Sequence, residues 1–220
     1  MNACSAPTFA ALRAEMVARQ LVRRGVRDPR VLDAMGRVPR ELYVPSEVSR
    51  LAYEDEALPI GLGQTISQPF MVAAMCELLG LAGDERVLEV GTGSGYAAAV
   101  LAELAADVVT IERLAPLAER ARKALVAGGL ERVAVLVGDG SRGVADRAPF
   151  DAIAVSAAAP SVPPTLFEQL APGGRIVLPL GARRDQRLVL VVRTPEGPSE
   201  SRSVPCRYVP LVGAEGFPES

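Results

Sequence analysis

The spacing of apolar residues changes along the chain and divides it into three parts. Over residues 9–21 they recur at helical intervals (Phe9, Leu12, Met16, Val17, Leu21) and stop near Gly25, while Val31, Leu32 and Met35 predict a second short helix. Residues 38–69 keep no such period. Pro39, Pro45, Pro59 and Pro69, with Gly61 and Gly63, break helices and predict extended or looping chain, and long loops in compact domains are often functional. Beyond Arg86, short β-rich runs at 86–90, 108–112, 133–137, 152–155 and 175–178 alternate with Ala-rich helical stretches at 94–105 and 114–127. That rhythm predicts an α/β fold with a doubly wound, mostly parallel sheet covered on both faces. The chain closes differently: runs at 188–192 and 204–212 flank the turn-forming residues 194–198 and predict a terminal antiparallel hairpin.

With 220 residues, about half of them apolar, one globular domain is expected: residues 1–80 form an N-terminal helical and loop region and 81–220 the α/β core with its hairpin. The net charge of -2 gives no general attraction to nucleic acid or anionic lipid, although Arg13, Arg19, Arg23, Arg24 and Arg27 make a locally basic start. The opening residues lack a signal-peptide pattern, and no run reaches the roughly 18 apolar residues that span a bilayer, so a cytoplasmic setting is expected. Cys4, Cys76 and Cys206 are far apart and odd in number, which suggests neither a disulfide framework nor a metal site. The chain contains no histidine, which removes Ser-His and Cys-His nucleophiles and His-ligated metals from consideration.

The chemistry-bearing signal is the stretch Val87-Leu88-Glu89-Val90-Gly91-Thr92-Gly93-Ser94-Gly95-Tyr96, a buried strand running into a glycine-rich turn and a helix. Glycines let the backbone turn and a ligand approach, and the helix start offers free N–H groups, as a nucleotide-like cofactor requires. Glu112 ends the next strand about twenty residues on, where a carboxylate can accept from ribose hydroxyls. After the third strand come Asp139 and Gly140; Asp139 is either an acceptor for an adenine amino group or a β-turn residue. Each feature alone has a purely structural explanation, but their joint order favours a cofactor site.

This ordered set resembles the class I S-adenosylmethionine-dependent methyltransferases, with Tyr96 standing where a dinucleotide fingerprint has its last glycine. Glu89, Gly91, Thr92, Gly93, Ser94, Gly95, Glu112, Asp139 and Gly140 are then the expected cofactor contacts. The segment from Tyr53 through Gly63-Gln64-Thr65-Ile66-Ser67-Gln68-Pro69 is similar to the signature of protein-L-isoaspartate O-methyltransferases, supported by Val38-Pro39-Arg40-Glu41-Leu42-Tyr43-Val44-Pro45, the residues 148–153 and Tyr208-Val209-Pro210-Leu211.

The resemblance spans residues 16–213. It implies a Rossmann-like methyltransferase fold, S-adenosylmethionine as methyl donor with S-adenosylhomocysteine as product, no metal, and isoaspartyl proteins and peptides as partners; from charge and apolar-run length no nucleic acid or membrane partner is expected, and a monomer is expected. It places Ser67 beside the methyl donor as the catalytic residue, and puts Thr65, Ile66, Gln68, Val209 and Leu211 against the substrate, with Val209 and Leu211 meeting peptide through backbone hydrogen bonds and apolar contact. Read from the residues alone, Ser67 equally suits a cap for a helix over 69–79, Thr65 an extended segment, Gln68 a water-facing position, Val209 and Leu211 a half-buried strand, and Asp55 a solvated loop charge rather than a lid. An aspartate-directed methyltransferase with a dedicated peptide substrate ranks second, since only nine residues follow Leu211 to build extra recognition surface. A non-catalytic cofactor-binding module ranks third.

Overall fold

The computed structural model describes residues 7–182 and 185–219; Cys4, read above as passive, lies outside them. Its centre is a seven-stranded sheet built from β3 (Arg86–Val90), β4 (Asp107–Glu112), β5 (Ala134–Val137), β6 (Phe150–Val155), β7 (Leu170–Ala182), β8 (Asp185–Thr194) and β9 (Gly197–Cys206), in the order β5-β4-β3-β6-β7-β8-β9. The first five are mutually parallel where they pair, and β7-β8 and β8-β9 are antiparallel. The chain winds outward from β3 to β5 and then returns to β6 on the other side. That leaves a crevice at the carboxyl ends of β3 and β6, the place where open α/β sheets bind ligands.

Alternation along each strand sorts the core into two layers. Val87, Val108, Ala152, Ala154 and Val177 face one layer with helices α2 (Pro29–Arg37), α3 (Pro69–Leu79), α4 (Tyr96–Ala102) and α5 (Ala115–Ala127). Leu88, Val90, Val109, Ile111, Ile153 and Val155 face the other. The helical cover is unequal, which revises the expectation of helices on both faces. Among the described residues the second layer holds the five-residue α6 (Pro164–Glu168), 3-10 turns, residues 157–162 and the segment after β9. Gly138, Gly140, Gly143, Pro160, Pro163 and Pro164 account for this by breaking any longer helix there.

Several element bounds also move. The first predicted helix is α-helical only over α1 (Phe9–Glu15) and continues as a π-helical turn to Leu21. Residues 38–69 hold two 3-10 segments and a small antiparallel hairpin, β1 (Leu58–Gly61) with β2 (Gln64–Ile66). The terminal hairpin turns at Thr194 and Gly197, as expected, but its second strand is β9, ending at Cys206. Residues 207–212 leave the sheet and cross the carboxyl ends of the strands, where Ala158 and Pro210 form a bridge.

One polar latch fixes α3 to the sheet. Arg175 on β7 donates to the carbonyls of Leu79 and Gly80 and pairs with Glu85 at 2.8 Å, while Glu85 accepts from the N–H groups of Ala82 and Gly83. Burial alone would raise the Glu85 carboxyl, but these N–H groups and the guanidinium outweigh it and hold it at about 2. A depressed value stabilises the fold above the unfolded-state value and is lost as pH falls through the folded one. Glu85→Gln is therefore expected to cost about 1–3 kcal/mol at pH 7, with the difference from wild type shrinking as pH falls below about 4.5. Urea unfolding at pH 7, 4 and 3 measures this, and a pH-independent difference would contradict it.

Candidate active site

The glycine turn is set by β3 ending against β4. The Gly91 N–H donates to the Ile111 carbonyl at 2.9 Å and the Gly95 N–H to that of Thr92 at 2.8 Å. Gly95 has φ +90°, and a Cβ there would sit 3.3 Å from the Cβ of Ala121, so a side chain meets both strain and α5. This left-handed residue delays α4, predicted from Ser94, until Tyr96. Glu112, at the end of β4, is held by two N–H groups: Gly93 donates to Oε2 and Leu114 to Oε1, each at 2.9 Å. The carboxylate thereby closes the turn and faces the cavity above it.

Glu89 lies beneath the same turn with no solvent exposure. Thr110 donates to its Oε2 at 2.6 Å and stands 2.6 Å from the Thr92 hydroxyl, but Oε1 has no hydrogen-bond partner. Burial pushes the carboxyl up to about 8, with the Thr110 hydrogen bond opposing, nearby Glu112 adding to the rise and Ser156 easing it. Thr110 is a residue that sequence reasoning missed. Its signal was a polar side chain inside an otherwise apolar strand.

All the expected site residues line this cavity except Gly95, Asp139 and Gln68. Glu89, Gly91, Thr92, Gly93, Ser94, Glu112 and Gly140 form its floor and one side; Thr65, Ile66 and Ser67 approach from β2 and the residue after it, and Val209 and Leu211 from the segment beyond β9. Gly95 supports the turn from behind. Asp139 accepts from Ser141 and Ala214.

Beside this cavity runs an open groove lined by Asp55, Gln68, Met71, Arg207 and Tyr208, and the two share Thr65, Ser67, Ser156 and Val209. Ser67 therefore stands at their junction. It is not the cap of α3: that position falls to Gln68, and no side chain caps the helix. The Ser67 hydroxyl instead neighbours the Tyr208 phenol, which burial pushes up and the Ser67 hydrogen bond draws back. Gln68 faces neither free water nor an open peptide site through its amide nitrogen, which donates to the carbonyl and carboxylate of Asp55 at 2.8 Å. Asp55 is paired in turn with Arg24 at 2.9 Å and is exposed, the solvated loop charge expected of it, here with an ion-pair partner. The Val209 carbonyl and Leu211 N–H are both bonded to Ala158, at 2.8 and 2.7 Å, which leaves their apolar faces as the wall they present.

Two positioning features were hidden in the sequence. Arg40 has no solvent exposure; its Nε donates to the Ala52 carbonyl at 2.6 Å and a terminal nitrogen to the Ser67 carbonyl at 2.8 Å, with the guanidinium 4.7 Å from the Tyr96 ring. Ser156 follows β6 at the crevice and lines both cavities, a position that strand order identifies and composition does not. The basic N-terminal residues have local partners as well: Arg13 pairs with Glu41 and bonds Tyr53, Arg19 pairs with Glu15, and Arg24 packs 3.7 Å over the Phe70 ring.

A family model described as protein-L-isoaspartate(D-aspartate) O-methyltransferase matches residues 12–216. The protein-L-isoaspartate O-methyltransferase 1 of Rhodopseudomonas palustris (strain HaA2) is 55% identical over 214 residues, covering 96% of this chain and 87% of that protein. A protein-L-isoaspartate O-methyltransferase of Methanoculleus marisnigri is 51% identical over 208 residues, 93% of each chain. Among solved structures, one of a protein-L-isoaspartate O-methyltransferase is similar with a TM-score of 0.84 at 31% identity, over 93% of this chain and 67% of that one. A Plasmodium falciparum structure in complex with S-adenosyl-L-homocysteine shares the fold, with a TM-score of 0.80 at 24% identity over 91% of this chain and 98% of that one.

Two predictions follow the geometry. Because the folded Glu89 value is raised, its contribution is full below the ordinary carboxylate range and is lost as pH rises through about 8. Without ligand, wild type should therefore lose thermal stability relative to Glu89→Gln between about pH 5 and 8; a constant difference in Tm across that window would count against a buried, protonated Glu89. Arg40→Lys keeps the charge but cannot reproduce the fork that reaches two carbonyls. It should lower stability by about 1–3 kcal/mol in urea unfolding, and an unchanged midpoint would show that the fork is dispensable.

Proposed function

Because the chain belongs to the protein-L-isoaspartate(D-aspartate) O-methyltransferase family, we propose that it methylates the carboxylate of isoaspartyl residues in damaged proteins and peptides, the opening step of their repair. The observation that carries this reading is the position of Ser67, shared between a cavity built for a nucleoside-like cofactor and a groove open to peptide.

The cofactor is S-adenosylmethionine, and the residues present fit it. A Cβ at Gly140 would fall 2.6 Å from Val90, showing how closely the floor is drawn in, and the buried Glu89 Oε1, without a close hydrogen-bond partner, leaves a polar group there for a ligand to meet. Glu112 is the acceptor for ribose hydroxyls, Gly140 borders the adenine end, and the turn from Gly91 to Gly95, with Thr92 and Ser94, borders the remainder. Among the described residues no cluster of His, Cys, Asp or Glu is placed to hold a metal.

When bound, S-adenosylmethionine supplies a methyl group on a positive sulfonium, which a carboxylate oxygen displaces in line to leave a methyl ester and the thioether S-adenosylhomocysteine. The protein has no proton to remove. An isoaspartyl carboxyl should ionise near pH 4 and is already an anion at neutral pH, so a chain without histidine is sufficient. What the residues must do is align, a contribution that can reach about 7–11 kcal/mol in effective molarity. The Ser67 hydroxyl donates to the carboxylate, and Arg40 fixes the Ser67 backbone from behind. Thr65 offers a second hydroxyl, Ile66 and Gln68 shape the near wall, and Val209 and Leu211 give an apolar far wall. One chain supplies both walls, so a monomer suffices. Cys76 and Cys206 are free thiols, in keeping with the reducing cytoplasm, and no helix among the described residues is long and apolar enough to cross a membrane.

The direct test is transfer of labelled methyl to an isoaspartyl peptide and to its aspartyl twin. Label should enter the first only; equal labelling would reject the assignment. Ser67→Ala should lower kcat/KM by about 10- to 100-fold, the scale of one hydrogen bond to a charged group. Binding of S-adenosylhomocysteine, followed by calorimetry, should stay close to wild type in that variant.

A further inference from the structure

The consecutive residues 205–209 all line the peptide groove, together with Asp55, Gln68 and Met71 from the N-terminal region. Beyond Cys206, where β9 stops, this stretch belongs to no strand. A chain that leaves a sheet loses the ladder that satisfies and orders its backbone, so other groups must take over.

Gln186 on β8 anchors the stretch twice. Its main chain pairs with Cys206 in the β8-β9 ladder. Its side chain reaches further: Oε1 accepts from the Tyr208 N–H at 2.7 Å, and Nε2 donates to the Tyr208 carbonyl across a longer 3.4 Å. A carboxamide carries the same donor and acceptor as a peptide group. The side chain therefore stands in for the next pair of the ladder after the backbone has turned away. Its row on β8 is otherwise apolar, since Leu188 and Leu190 on the same face pack into the core. A polar side chain at 4% exposure in that row costs stability unless it is bonded. One residue on, the Val209 carbonyl accepts from the Ala158 N–H at 2.8 Å. Tyr208, whose phenol neighbours Ser67, is thus held by a side chain, whereas Val209 is held by the backbone of the crevice.

We propose that Gln186 is a positioning residue for the peptide substrate: its amide holds Tyr208 in continuation of β9 and so keeps residues 205–209 shaped to receive the residues that flank the isoaspartate. This rests on the reading that the groove takes an isoaspartyl peptide. The reacting carboxylate is met by Ser67 at the junction of the two cavities, and on the cofactor side this segment contributes residues 209–212, beyond the stretch that Gln186 anchors. Loss of the amide is therefore felt away from the reacting carboxylate, and more by a long peptide than by a short one.

Two variants test this. Gln186→Met keeps the length of the side chain and removes both hydrogen-bonding groups; Gln186→Asn keeps the amide and withdraws it by one methylene. For a blocked isoaspartyl heptapeptide at saturating S-adenosylmethionine, both should raise KM roughly five- to tenfold with kcat largely kept, the scale of a lost neutral hydrogen bond and the pattern of lost uniform binding. For a blocked tripeptide with isoaspartate at its centre, kcat/KM should change by less than about twofold. Hydrogen exchange at the Tyr208 amide should quicken in both variants, a readout independent of turnover. Calorimetry should find S-adenosylhomocysteine binding within about twofold of wild type, which also shows that each variant folds. Unchanged heptapeptide KM in both variants, an equal loss on the two peptides, or a fall confined to kcat would overturn the proposal. Wild-type protein inert toward both peptides would instead remove the functional reading beneath it, and the proposal with it.

Discussion

The substrate side of the site hangs on one buried cation. Arg40 is fully enclosed and forms no ion pair among the described residues, an arrangement that costs several kcal/mol in desolvation unless hydrogen bonds compensate. Here the carbonyls of Ala52 and Ser67 and the face of Tyr96 supply part of that compensation, and the second terminal nitrogen is buried without a hydrogen-bond partner. Burial lowers its value only to about 10, so the charge persists at neutral pH. The consequence is geometric: one guanidinium ties the loop that bears Ser67 to the first residue of α4, directly after the glycine turn. The substrate loop and the cofactor turn are thereby held in a fixed relation although some thirty residues of sequence separate them.

Around that link the fold divides its work. The parallel strands end together at the crevice between β3 and β6, where Glu112 and the glycine turn present backbone and carboxylate groups. The N-terminal region brings a hydroxyl to the crevice from one side, and the segment after β9 brings an apolar wall from the other. The chain has no histidine to take a proton near neutral pH, and the chemistry does not ask for one. The buried Glu89 is protonation-sensitive, but it lies under the cofactor turn, away from the groove.

Much of this was legible in the sequence, for reasons that differ by element. β3 and α3 fall at the expected residues because their patterns are unambiguous: a short apolar run before glycines, and an apolar stretch between Pro69 and Gly80. Beyond them, signals competed. β7 contains Pro179 and Gly181, which read as breakers but sit where the strand outruns its parallel partner, and β9 is a polar strand rich in serine that shows no apolar period. Residues 204–212 looked like the partner of β8 because they carry the apolar side chains; only 204–206 pair with it, and 207–212 cross the strand ends instead. The cofactor motif was readable because glycine and acid spacing is local. Arg40 was not, since an arginine in sequence is indistinguishable from a surface charge until its loop is closed around it. Asp139 was read as a cofactor acceptor or a turn residue; its bonds to Ser141, two residues on, fit the turn, while its bond to Ala214 joins segments that no local pattern connects.

The central claim is that the Ser67 hydroxyl holds a carboxylate oxygen at the meeting point of cofactor cavity and peptide groove. A crystal structure with S-adenosylhomocysteine and an isoaspartyl peptide tests it most directly. The account predicts a Ser67 Oγ to carboxylate oxygen distance of about 2.6–3.0 Å, with that oxygen facing the cofactor's sulfur. A carboxylate seated elsewhere in the groove, with the Ser67 hydroxyl bonded only to Tyr208, would contradict it.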